Sequence, residues 1–176
     1  LSILPSALKE NSTTYIFTSH FLFGEIFNQL KGLKDFVSYC VWNKPNPMPS
    51  LSKRHWTWNT ELCLYATRGA HIFNFPEGEH APSGWMFNKK TDGSHPTQKP
   101  IEVCANAIEK SSNDGGLVLD MFLGSGSTLI ACEQTNRILY GMELDPVYVD
   151  VCILRWCKYT NTDPETIYAQ QVKHEV

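Results

Sequence analysis

A short apolar run that ends in an acid and turns through two glycines into a helix is the strongest constraint on this chain. It reads Leu117-Val118-Leu119-Asp120-Met121-Phe122-Leu123-Gly124-Ser125-Gly126-Ser127-Thr128, and helical spacing continues to about Gln134. A second strand-like run, Ile138 to Glu143, follows, and a helix is predicted from Asp145 to about Tyr159. Asp145 suits an N-cap and Pro146 suits the first turn. Strand, helix, strand and helix in this order predict a parallel α/β sheet.

The glycines allow backbone to approach a ligand closely and expose N–H groups at a helix start. The third glycine of a dinucleotide fingerprint is missing, and so is the Gly-Lys-Ser/Thr of a P-loop. Asp120 would repel a pyrophosphate and suits positive charge or hydroxyls. Glu143 lies at about the 20-residue offset where an acid receives ribose hydroxyls. Together these features point to an adenosine-type ligand. The alternative is a structural glycine turn with an ordinary surface glutamate.

Upstream, Thr14–Ser19, Phe36–Trp42 and Glu61–Thr67 read as β-rich strands, and Phe21–Leu30 as a helix ending near Gly32. Residues 70–98 read as a long irregular loop, and Pro100 opens a helix to Lys110. Composition is that of a globular chain: 42% hydrophobic, 19% charged, net charge -3. Nucleic-acid binding would therefore need a local patch. No apolar run is long enough to span a bilayer. The six cysteines include no C-x-x-C pair. They read as buried free thiols of a reducing, cytoplasmic compartment in a bacterial or phage-encoded protein.

Three segments resemble one family in its own order. His95-Pro96-Thr97-Gln98-Lys99-Pro100 resembles motif X of the β-group amino-methyltransferases of DNA. Asp120 to Thr128 resembles their motif I, and Gly141-Met142-Glu143-Leu144-Asp145-Pro146 their motif II. Val41–Pro45 and Thr60–Ala66 are similar to further segments of that family. The resemblance implies a Rossmann-like sheet with helices on both faces. It also implies methyl transfer from S-adenosylmethionine to the exocyclic amine of adenine (N6, the favoured target) or cytosine (N4). Carried over residue by residue, Asp120, Phe122, Gly124, Gly126 and Thr128 would wall the methionine and ribose side. Glu143 would take the ribose hydroxyls. Thr97, Gln98 and Lys99 would lie near the methionine end, with Lys99 facing the cofactor carboxylate. No metal is implied. The rival readings are a non-catalytic cofactor-binding subunit, a methyltransferase of RNA or protein, and a nicotinamide-dependent oxidoreductase.

The family's catalytic tetrad, a polar residue followed by Pro-Pro and an aromatic, is not found. Asp145-Pro146-Val147-Tyr148 lacks the second proline and is better read as a helix start. In the β-group order the tetrad precedes all of these segments, and Leu1–Glu10 resembles the helix just after it. The expectation is a C-terminal piece of a longer enzyme that lacks one central strand. The piece would need a partner segment or associate with itself. It reads as one catalytic domain over residues 1–176, with a short target-recognition loop at 71–94 and an unassigned polar tail at 160–176.

Lys44, Lys53 and Arg54, with Trp42, Trp56 and Trp58 close by, are the candidate contacts to double-stranded DNA. No acid intervenes between Lys44 and Glu61. Cations with aromatics suit phosphate contact plus base stacking. The alternative is a solvated loop whose tryptophans fill the core.

Overall fold

A computed structural model describes residues 8–32, 35–47, 54–78, 80–89 and 98–172, apart from the side chains of 169–172. The stretches 1–7 and 173–176, as well as Lys53, His95, Pro96 and Thr97, lie outside the described residues. So do Glu79 and residues 90–94 of the expected recognition loop. The chain forms two compact units, residues 1–89 with 109–112, and residues 90–108 with 113–176.

The first unit holds strands β1 (Ser12–Thr18), β2 (Phe36–Asn43), β3 (Thr60–Arg68) and β4 (Gly84–Met86) in the order β1-β3-β2-β4. β1 and β2 pair with β3 antiparallel, and β4 joins β2 in parallel. Side chains alternate between the faces, so Ile16, Val37, Leu64 and Ala66 share one of them. Helix α1 (Phe23–Lys31) covers that face with Phe23, Ile26, Phe27 and Leu30. Leu30, Leu64 and Ala66 are fully buried there. Tyr15 and Tyr65 pack ring against ring, with centroids 5.3 Å apart, and Trp85 lies 6.1 Å from Tyr15. The Tyr15 hydroxyl lies 2.8 Å from Ser111 Oγ, and burial pushes its pKa well above the usual phenol value.

The second unit begins with most of α2 (Ile101–Ser111) and continues through β5 (Leu117–Asp120), α3 (Ser127–Gln134), β6 (Ile138–Gly141), α4 (Pro146–Thr160) and α5 (Pro164–Val172). β5 and β6 are parallel, with Leu117 opposite Ile138 and Asp120 opposite Gly141. Val118 and Leu139 face a core of Ile108, Ala131 and Cys132, completed by Ile101, Cys104 and Ala105. Leu117, Leu119, Ile138 and Tyr140 alternate onto the opposite face and are exposed. Among the described residues, helices therefore cover one face of this two-stranded sheet.

Two expectations are corrected. The stretch read as irregular between 70 and 98 contains β4. Three residues are too short for a periodic signal, and Trp42 recruits them by pairing with Trp85 and donating its indole N–H to Phe87 O at 2.8 Å. The polar tail forms α5, started by Asp163, whose Oδ1 accepts the Glu165 N–H at 3.1 Å. Asp145 caps α4 as expected: its Oδ1 accepts the Val147 N–H at 2.9 Å, with proline in the first turn.

Candidate cofactor site

The glycine turn sits at the carboxyl end of β5, beside the carboxyl end of β6. In open α/β sheets this end of the strands is where ligands bind. The turn is stitched to the neighbouring strand by backbone: Met142 N donates to Asp120 O at 2.8 Å, and Leu123 N to Met142 O at 2.9 Å. Gly141 has no side chain where Leu123 seats. A Cβ there would meet Leu123 Cδ2 at 2.7 Å.

Gly124 and Gly126 both have positive φ, 55° and 79°. Gly126 is the N-cap of α3, where a left-handed residue turns the loop into the helix. A Cβ at Gly126 would lie 3.0 Å from Cys152 Sγ on α4. α4 holds the loop through its carbonyls. Cys152 Sγ donates to Gly124 O at 3.0 Å, and Arg155 Nη1 to Ser125 O at 2.9 Å. Cys152 and Arg155 are three apart, so they share a helix face. That spacing was the available signal for them, and the sequence reading missed it. Ser127 was missed too: its hydroxyl donates to Lys99 O at 2.6 Å and joins the segment before α2 to the start of α3.

The two carboxylates stand at adjacent strand ends. Asp120 Oδ1 accepts the Phe122 N–H at 3.0 Å. Glu143 does more than the ribose role requires: its Oε2 accepts Gly124 N–H at 2.7 Å, and its Oε1 accepts Leu144 and Asp145 N–H at 2.9 and 3.0 Å. It thus ties the glycine turn to the start of α4. Phe122 points its ring to solvent, 86% exposed. Thr128 donates its hydroxyl to Cys104 Sγ at 3.8 Å, and burial pushes the Cys104 thiol up to about 11. Gln98 is buried and Lys99 half-buried. Of the predicted cofactor residues, the structure brings Lys99, Asp120, Gly124, Gly126, Thr128 and Glu143 into one bonded neighbourhood.

The candidate DNA contacts separate. Lys44 Nζ is 2.6 Å from Glu61 Oε1 and sits 4.8 Å from the centre of the Trp42 ring. Trp42 is buried, whereas Trp56 and Trp58 are 92% and 68% exposed. The expectation that no acid neutralises Lys44 read only the segment before Glu61. The antiparallel pairing of Trp42 with Glu61 supplies the acid. Arg54 is exposed.

The fold is shared with solved DNA methyltransferases. The cytosine-N4-specific PvuII enzyme matches with a TM-score of 0.74 at 16% identity, over 95% of this chain and 71% of that one. A complex of M1.HpyAVI with S-adenosylmethionine matches with a TM-score of 0.78 at 28% identity, over 85% of this chain and 76% of that one. Residues 1–154 match the N6/N4 DNA methylase family, and the chain belongs to it. Among curated relatives, the type II methyltransferase M2.MboI of Moraxella bovis is 30% identical over 173 residues, which is 87% of this chain and 62% of the relative. M2.DpnII of Streptococcus pneumoniae is 30% identical over 86% of this chain, again 62% of its own length. The chain thus spans less than two thirds of the length of these relatives.

Proposed function

We propose that this chain is the S-adenosylmethionine-binding portion of an enzyme that methylates the exocyclic amine of adenine or cytosine in double-stranded DNA. The observation that carries the reading is the pair of carboxylates, Asp120 and Glu143, at neighbouring strand ends around a turn of left-handed glycines. The donor set fits the group. The ligand is cationic at its sulfonium and ammonium and carries ribose hydroxyls. Two carboxylates with no cation in the turn suit it better than they suit a phosphate. Ribose hydroxyls donating to Glu143 would share its oxygens with the Gly124, Leu144 and Asp145 N–H groups. Phe122 would cover the ligand with an apolar ring. Lys99, with Thr97 and Gln98, would face the carboxylate end.

When bound, the cofactor supplies an electrophilic methyl group. This chain's residues contribute binding and orientation, and in such a direct displacement alignment and exclusion of water carry much of the rate. The polar-Pro-Pro-aromatic tetrad that would hold the target amine has no match in the 176 residues. The proposal assigns it to a further segment, whose strand would pair with the open edge of β5. Lys53 and Arg54 would contact phosphates. Lys44, already neutralised, is left out of that role.

The test is transfer of labelled methyl from S-adenosylmethionine to duplex DNA by the natural full-length product. Label recovered as N6-methyladenine or N4-methylcytosine supports the reading and identifies the base. Label found only in RNA or protein overturns it.

A further inference from the structure

We infer that His20, Phe21 and Trp58 form a stacking platform for an unpaired base of the bound nucleic acid. This rests on the reading that the substrate is DNA. The three rings come from different elements and meet at one end of the first unit's sheet. His20 lies 3.9 Å from Phe21 and 4.4 Å from Trp58 between ring centres, edge-on to the indole. Strand register brings them together: Thr18 pairs with Leu62, so the end of β1 lies beside the start of β3.

Both approaches to the cluster are fixed by backbone. Leu22 and Phe23 N–H groups both donate to Ser19 O at 3.1 Å, closing a tight turn that carries His20 and Phe21. Lys44 N donates to Asn59 O at 2.6 Å, which holds the segment that carries Trp58. The rings are nonetheless in water. Phe21 is 81% exposed and Trp58 68%. Exposed apolar clusters held this firmly mark surfaces that meet a partner.

Charge selects the partner. Residues 44–60 carry Lys44, Lys53 and Arg54 and no acidic residue, in a chain whose net charge is -3. With Lys44 ion-paired to Glu61, Lys53 and Arg54 lie close in sequence before Trp58. Cations beside exposed aromatic rings are the combination that grips a nucleic-acid backbone and stacks its bases. A base taken out of a duplex loses its stacking partners, and aromatic rings replace them.

The test compares binding of the chain to two oligonucleotide duplexes, one fully paired and one with a single unpaired adenine. Phe21→Ala and Trp58→Ala should each weaken binding to the unpaired-base duplex by about tenfold, and Trp58→Phe should restore it. The slope of affinity against salt should stay unchanged, because no phosphate contact is removed. All three residues are exposed, and circular dichroism checks that each variant folds. If DNA binds but neither alanine variant distinguishes the two duplexes from wild type, the platform is refuted and the DNA reading stands. If no DNA binds at all, both fail. If the variants change self-association by sedimentation instead, the cluster is a protein interface and the proposal is wrong.

Discussion

Gly126→Ala tests the geometry of the glycine turn quantitatively. With φ at 79°, any L-residue here adopts the left-handed region at a cost of about 1–2 kcal/mol. The added Cβ would also lie 3.0 Å from Cys152 Sγ and 3.4 Å from Cys152 Cβ. That thiol cannot swing away freely, since it donates to Gly124 O. Losing this bond adds about 0.5–1.5 kcal/mol, for a total of roughly 1.5–3.5 kcal/mol. Gly115→Ala is the control. Its φ is 71° and nothing lies within 4 Å of its Cβ, so it carries the backbone cost alone. Urea unfolding followed by far-ultraviolet circular dichroism should rank wild type, Gly115→Ala and Gly126→Ala in falling stability. In a Cys152→Ala background, Gly126→Ala should cost no more than Gly115→Ala. Equal losses for the two alanine variants in the wild-type background would refute the idea that α4 confines this turn.

Alkaline pH should destabilise the fold early. Burial pushes the Cys104 and Cys152 thiols up to about 11 and Cys132 up to about 12. A thiol that is protonated in the folded state and free to ionise when unfolded contributes stability in full below about pH 8.5. That contribution is lost as pH rises towards 11. The urea midpoint should fall over this window, and Cys132→Ala should flatten the fall. Asn74→Ala should cost about 1 kcal/mol, because its Nδ2 donates to Glu109 O and Ser112 O at the end of α2. The midpoint of thermal unfolding checks it. Lys53→Ala with Arg54→Ala should lower the salt slope of DNA binding by about two, whereas Lys44→Ala should lower stability and leave the slope alone. A slope unchanged in the double variant would exclude those phosphate contacts.

The second unit was the more legible in the sequence. Local chemistry writes it: an apolar run, paired glycines, an N-capping Asp145 and Pro146 sit consecutively, so neighbouring residues fix strand, turn and helix. The carboxylate pair could be read for the same reason, since β5 and β6 are adjacent in sequence as well as in space. What could not be read depends on long-range pairing. Lys44 looked like a free cation until β3 placed Glu61 beside it. β4 is too short to announce itself and exists because Trp42 and Phe87 bond across 45 residues. Cys152 and Arg155 resemble ordinary helix residues, and their hold on Gly124 and Ser125 appears only when α4 folds back on the turn. The second role of Glu143, as a tie between turn and helix, needed the Gly124 N–H to be seen.

The most direct test of the account is a calorimetric titration of this chain with S-adenosylmethionine, repeated with Glu143→Ala and with Phe21→Ala. The account predicts saturable binding that Glu143→Ala weakens at least tenfold and Phe21→Ala leaves unchanged. No binding by a folded wild-type chain, or equal binding by Glu143→Ala, would contradict it.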